Sequence, residues 1–454
     1  NHTRQLGNLN DLGNRPASLF SRTTARVNTT VDLSKNFLVY TDIFASRSDQ
    51  SEPFVGGADR NTKYLYGKVY AIPPTIVAVY PERQGVKYPE YITQGYRFYG
   101  SFGELWNPVA SLEQAGTVRR ANDQATLNIR PQWKINEEFT LNAQASYNVT
   151  SGLDLIDQKD FIFFDYSSYK PATNSLTSYG AYSNVKTATL ARRSNYFYWG
   201  GNLDYKKAIG EHNINAILGY TQELETKDNW NNIALMSVFA KAFYTYGERY
   251  SLEAGIRRDG SSIFGPGHKW GNFPSVAAAW NIDKESFFKF KPVTAWKVRA
   301  SYGILGNNRI DPYLYQNLIG TNGIPTIFGN ADMIWEKTAM LNLATDITLL
   351  SGFDFTVEWY NKKTTDLLIR SDQLLSAGIG SNSSSNTNTA PYFNSASARI
   401  RGLDLSLKYT KVFGKDFRFN ANFGYSKMNS KVLKLIIPGV PIISGNTIIT
   451  EGGE

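Results

Sequence analysis

Residues Ala125 to Thr150, ATLNIRPQWKINEEFTLNAQASYNVT, decide how the chain folds. On the first arm Ala125, Leu127, Ile129, Pro131, Trp133 and Ile135 alternate with Thr126, Asn128, Arg130, Gln132 and Lys134. Beyond Asn136-Glu137, the second arm alternates Phe139, Leu141, Ala143, Ala145, Tyr147 and Val149 with Thr140, Asn142, Gln144, Ser146 and Asn148. Successive side chains of a strand point to opposite faces, so this period of two predicts two antiparallel strands with one apolar and one polar face. Each arm exceeds the ~5–6 residues usual in globular sheets and reaches the ~9–11 that cross a bilayer at a tilt.

The same unit recurs along the chain. Arg26 to Leu33 turns at Ser34-Lys35-Asn36 into Phe37 to Arg47, and Asn195 to Lys207 turns near Ile209-Gly210-Glu211 into His212 to Glu225. Val238 to Tyr246 turns at Gly247-Glu248-Arg249 into Tyr250 to Arg258, and Leu341 to Leu349 turns at Ser351-Gly352 into Phe353 to Trp359. Leu403 to Tyr409 turns at Phe413-Gly414-Lys415-Asp416 into Phe417 to Tyr425. These read as hairpins with short polar turns. Between them lie long segments rich in Gly, Pro, Asn and Ser, at 48–118, 151–191, 303–337 and 369–396. Short turns at one rim and long loops at the other are the asymmetry of an outer-membrane β-barrel. A soluble sandwich or propeller is the rival, but the strands are long for a sandwich and no blade-length repeat is present.

Composition agrees. The 454 residues include 28 Tyr, 26 Phe and 9 Trp, residues that suit both a pleated surface and a membrane boundary. Mean hydropathy is −0.35, and no run approaches the ~18 apolar residues of a spanning helix; barrel strands escape such scans because only alternate residues meet lipid. The absence of cysteine excludes a disulfide framework and cysteine-ligated metal. A net charge of +9 raises the question of nucleic acid, but Lys and Arg are scattered with no basic run, so no nucleic-acid partner is expected.

Catalytic signatures are missing. His2, His212 and His268 are too few and too scattered for a metal trio or a triad, no phosphate loop is present, and no carboxylate pair stands out. No enzyme and no cofactor is expected. What remains is binding and passage. By alternation Asn128, Arg130, Gln132, Asn142 and Gln144 are candidate lumen residues. In the long loop region 48–118, Tyr88, Tyr91, Tyr96 and Trp106 are candidates to contact sugars or peptides in a vestibule; packing of loop on loop, or against a partner protein, is the plainer reading.

Tyr246-Gly247-Glu248-Arg249-Tyr250 opens a longer run, Ser251 to Ser262, followed by Phe264-Gly265-Pro266, Lys269-Trp270-Gly271, Phe273-Pro274-Ser275 and Ala278-Ala279-Trp280. After it come Val298 to Gly303, Gly306-Asn307-Asn308, Trp335-Glu336-Lys337-Thr338, Tyr360 to Leu368 and Gly402-Leu403-Asp404-Leu405. In this order the motifs resemble the SusC/RagA family of TonB-dependent outer-membrane transporters of Bacteroidetes-type bacteria. About half the chain carries the resemblance; residues 1–230 resemble the family more loosely. The resemblance implies a barrel of about 22 strands with a plugged lumen in the outer membrane of a Gram-negative cell, among its lipid and lipopolysaccharide. It implies a SusD-like surface lipoprotein lid, TonB as energy source acting on the plug, and oligosaccharide or peptide substrates. Family members carry the plug N-terminal to the wall and continue beyond its last strands here, so residues 1–454 are expected to be part of a barrel domain from a longer protein. A docking platform for a surface assembly or secretion complex is the alternative function; a passive porin is disfavoured by the resemblance.

Overall fold

The computed structural model describes residues 2–11, 19–53, 79–80, 98–100, 109, 116–159, 161–164, 172–173, 178–182, 186–227, 231–319, 325–350, 352–370, 381–382, 387–388, 391–414, 417–444 and 447–453. Fifteen of its strands form one sheet, each hydrogen-bonded to its neighbours in chain order. They are β1 (His2–Asp11), β2 (Leu19–Ser34), β3 (Phe37–Pro53), β4 (Gly116–Lys134), β5 (Phe139–Gln158), β6 (Lys186–Ile209), β7 (His212–Lys227) and β8 (Asn231–Tyr246). There follow β9 (Tyr250–Ser261), β10 (Trp270–Asn281), β11 (Val293–Asn307), β12 (Glu336–Leu349), β13 (Phe353–Arg370), β14 (Tyr392–Phe413) and β15 (Phe417–Lys434). All neighbours in this sheet are antiparallel, so successive connections fall on alternate rims.

One rim carries the short turns at 35–36, 135–138, 210–211, 247–249, 350–352 and 414–416, with the longer turn 282–292; the opposite rim carries connections of up to 54–115. Every hairpin expected from alternation is present, and its strands run further than alternation shows. The connection expected over 48–118 spans 54–115, because Ser48–Pro53 still ladders onto Thr117–Asn122. The reason is solvent. Outside the bilayer both faces of a strand meet water, so the apolar period lapses while the backbone ladder continues. At ~3.3 Å per residue the 24 residues of β6 stretch roughly 80 Å, far beyond an apolar band about 25 Å tall.

Register assigns the two faces. Leu127 and Ile129 lie opposite Ile43 and Thr41, and the row continues through Tyr147 and Ala145 to Phe197 and Trp199. Most of these large side chains, with Leu218, Ile256, Leu343 and Phe423, are exposed on the outward face. A contiguous apolar surface of this extent exceeds by far what a water-soluble monomer presents, and it suits lipid. Rings gather beside the short turns: Phe353 stacks on Tyr409 with centroids 4.3 Å apart, Tyr246 stacks on Tyr250 at 6.5 Å, and Phe413 meets Phe417 at a tilt at 5.9 Å. This is the aromatic girdle of a membrane boundary.

Among the described residues, a buried core of soluble-protein type occurs only where connections fold over the long-loop rim. Ile263, Phe264, Phe273, Leu314, Met333 and Trp335 pack together there. Phe264 is 0% and Trp335 4% exposed, with ring centroids 5.3 Å apart. Polar groups lock the cluster: the Trp335 indole donates to the Lys269 carbonyl at 2.9 Å, and Ser261 Oγ accepts from the Ile263 amide and from Asn308. Asn394 receives the Ile334 amide and donates to the Ile334 and Asp366 carbonyls. Elsewhere above the wall, Phe161–Phe164 pairs parallel to Phe98–Gly100 and antiparallel to Ser178–Tyr182, so the β3–β4 and β5–β6 connections share a small sheet.

Candidate functional site

The inward face follows from the same register. Asn28, Asp42, Asn128 and Ser146 stand in one row across β2 to β5, and Gln132, Asn142 and Asn202 in another across β4 to β6. Four of the five lumen candidates, Arg130, Gln132, Asn142 and Gln144, line one open cavity of about 430 Å³. Asn128 shares their face but lies outside that cavity, opposite Asp42. Within it Gln132 donates to Asn142 at 2.8 Å, and Asn142 and Asn202 donate to the two oxygens of Asp204 at 2.7 and 2.6 Å. The Arg130 guanidinium lies 4.0 Å above the Tyr40 ring, which holds it by cation–π attraction. Beside the cavity Arg26 grips Asp42 through two nitrogens at 3.0 and 2.9 Å.

Tyr40, Tyr198, Asn202 and Phe239 also line it and were not singled out from sequence. The alternation of β6, with Tyr196, Tyr198, Asn202 and Asp204 on one parity, carried the signal, but strand register was needed to place it beside the 125–150 hairpin. Phe239 lies flat over Gly219: a Cβ there would sit 2.2 Å from the ring. The glycine therefore lets an aromatic face spread over the wall instead of projecting from it. Arg257 approaches the same ring at 5.6 Å and is held by Ser237 and Asp259 at 2.6 and 2.7 Å.

Two further inward patches are ionic. Arg299 bonds Asp346 at 2.9 Å and Glu358 at 3.1 Å, with Lys241 paired to Glu253 at 2.8 Å nearby; Ala277, Ala279, Ser301 and Ala344 floor the hollow of about 290 Å³ beside Arg299 and Glu253. Toward the long-loop rim Arg120 bonds Glu52, and Arg120 and Arg192 flank Asp154. The face thus offers amides, tyrosine rings and paired charges, groups that bind hydroxyl- or amide-bearing chains and exchange them without covalent chemistry. His212 bonds the Tyr244 hydroxyl at the short-turn rim, whereas His268 lies by Asp332 on the long-loop side. Tyr88, Tyr91, Tyr96 and Trp106 lie outside the described residues.

The recognisable motifs turn out to build rims. Gly247 and Glu248 have φ of +55° and +54°, the sign pattern of a type I′ hairpin turn. Arg249 then reaches Glu211 in the preceding turn at 3.4 Å and Glu285 in the following one at 3.9 Å. Asn281 donates its side-chain amide to the Glu248 carbonyl at 2.5 Å and its backbone amide to that of Arg249 at 2.8 Å. Glu285 also accepts from the Tyr250 hydroxyl and, at 2.9 Å, from the Trp280 indole. These two hydrogen bonds, the tyrosine's foremost, hold its carboxyl below the ordinary glutamate range. Ile263, Phe264, Phe273 and Trp335, from the same motifs, join Leu314 and Met333 in the buried cluster of the other rim.

A long-stranded antiparallel wall with lipid-type side chains outside and hydrogen-bonding groups inside defines a transmembrane β-barrel domain. Residues 80–449 match the family model described as TonB dependent receptor-like, beta-barrel, and the chain belongs to that family, whose members are outer-membrane transporters. It is similar to TonB-dependent receptor P3 of Formosa agariphila, 26% identical over 92% of this chain and 43% of that protein. It is also similar to TonB-dependent receptor SusC of Bacteroides thetaiotaomicron, 24% identical over 95% of this chain and 45% of that protein. The chain therefore spans less than half the length of these curated relatives. Among solved structures, the RagAB peptide importer in its closed-closed state superposes with a TM-score of 0.75 at 19% identity, over 99% of this chain and 51% of that one. The SusC/RagA resemblance read from the motifs is upheld.

Proposed function

We propose that the whole protein is an energised importer of the SusC type, taking up oligosaccharides or peptides with a SusD-like lipoprotein lid and drawing on TonB. The observation that carries this reading is the inward face itself. A sheet of fifteen long strands is already close to the 16–18 that enclose an aqueous channel, and completed to about 22 it encloses a lumen of the plugged kind. Selective uptake through so wide a wall needs a gate within it and work to move the gate. The amide- and tyrosine-lined cavity around Arg130 and Asn142 fits substrates rich in hydroxyl or amide groups. The likeness to SusC and to a peptide importer supports the same substrate classes.

The test is made in the full-length protein. Deleting its TonB-contacting segment is expected to abolish growth on the cognate polymer while leaving the barrel in the outer membrane. Unimpaired energised uptake after that deletion overturns the proposal. Mass spectrometry of material co-purifying with the barrel identifies the substrate class.

A further inference from the structure

The outward face of β13 to β15 changes character toward the long-loop rim. Register stacks its rows from the short turns upward. Phe353 and Tyr409 share a row, as do Phe355, Leu407 and Phe423, then Val357, Leu405 and Tyr425, then Trp359 and Leu403. Lys427 stands opposite Leu403, at the upper border of this apolar belt. The next row is Asn361, Arg401 and Asn429, and the row above is Lys363, Arg399 and Lys431. Five cations thus occupy three adjacent strands, three of them directly opposite one another.

Directly opposed like charges destabilise a sheet, and neighbouring side chains here stand about 5 Å apart. Among the described residues of β13 to β15 no carboxylate shares these rows, and none of the five cations forms an ion pair with a described residue. Arg401 donates to Asn361 at 3.3 Å, whereas Arg399 Nε is shielded from solvent without a hydrogen-bond partner. Glu451 is engaged by the Leu435 amide at 2.8 Å. By contrast, outward-facing Arg47 on β3 is neutralised by Asp49 at 3.0 Å. The patch on β13 to β15 awaits an anion.

Its height says which anion. Lys363 lies ten residues beyond Phe353 on β13. That is roughly 33 Å along the strand and about 25 Å vertically at the usual tilt, the thickness of an outer-membrane apolar band. The cations therefore stand at the level of the outer-leaflet head groups, directly above side chains that receive acyl chains. We propose that Lys363, Arg399, Arg401, Lys427 and Lys431 bind the phosphates of an outer-leaflet lipid, the lipid A moiety of lipopolysaccharide. This rests on the outer-membrane placement of the wall and not on transport or its substrate.

The experiment uses the full-length protein in detergent, titrated with bisphosphorylated lipid A, with the same lipid stripped of phosphate, and with inorganic phosphate. Replacing Lys363, Arg399 and Lys431 together by Gln is expected to weaken binding of phosphorylated lipid A about a hundredfold, each surface cation contributing about fivefold. The control replaces Lys362, Lys408 and Arg418 by Gln, equal charge on the same strands but on the inward face, and is expected to bind as the parent does. If the triple variant does not fold, Lys363→Gln alone is expected to weaken binding about fivefold. The proposal is overturned if the outward variant binds like the parent, if the inward control loses as much, or if phosphate-free lipid binds equally well. It also fails if inorganic phosphate competes as well as the lipid, which assigns the patch to the free ion. Because binding is read in detergent, loss of uptake on removing the TonB contact leaves this result untouched, and the reverse holds too.

Discussion

The two rims of the wall are stabilised by different physics. At the short-turn rim, hairpins are tied sideways by backbone turns and exposed polar links, with Arg249 between Glu211 and Glu285 at its centre. At the long-loop rim, connections fold over the strand ends and bury Phe264, Met333 and Trp335 as a soluble protein buries its core. Among the described residues the span between has no such core, because its apolar side chains face lipid. Packing of the kind that dominates soluble stability is therefore concentrated at one end.

The comparison is broken most directly at the packed rim. Trp335→Ala removes a buried ring and takes one of its two donors from the Lys269 carbonyl, which keeps the Ser261 amide, and is expected to destabilise by about 3–5 kcal/mol. Urea titration of the refolded full-length barrel measures it; a loss below 1 kcal/mol would show that the cluster is not a core. Gly219→Ala comes next. Its methyl group collides with the Phe239 ring, and a cost of about 1–3 kcal/mol is expected, with Phe239→Ala relieving it in the double variant. An additive double variant would disprove that contact.

At the other rim the expected effects are smaller. Gly247→Ala places a side chain at φ +55°, at a cost of about 1 kcal/mol, read in the same titration; an unchanged midpoint would mean that the turn adapts. The smallest effect is a pH dependence at Glu285. Its carboxyl is held below the ordinary range in the folded state, first by Tyr250 and then by Trp280. Its contribution is therefore fully present above the unfolded pKa and fades as pH falls through the folded one. Glu285→Gln is expected to flatten that acid limb of the unfolding midpoint and to leave neutral pH little changed. An acid limb identical in the variant would assign it elsewhere.

Legibility in the sequence follows the same division. The period of two is plain from Ala125 to Thr150 because that hairpin crosses lipid on one face and water on the other. It is faint in β10, where Ala277 and Ala279 inside match Ala278 outside, so residues 270–280 are conspicuous as a motif before they are as a strand. It is absent from β1, HTRQLGNLND. Alternation assigns a face but not a register, so it placed Arg130 and Asn142 on the inward side without revealing Tyr198 or Phe239 beside them. The irregularity near Asp366, whose φ is +58°, leaves no trace in composition. The 246–275 motifs pointed to the family, while their physical work, a turn tie and a buried cap, became visible only with strands in place.

Arg249 has a mechanical consequence. A guanidinium held between the turns before and after its own acts as a cross-brace, so an inward or outward pull on the 247–249 hairpin must also strain its links to 210–211 and 282–292. Force applied at one point of that hoop is spread over three hairpins, and the rim resists local flaring more stiffly than any single turn would.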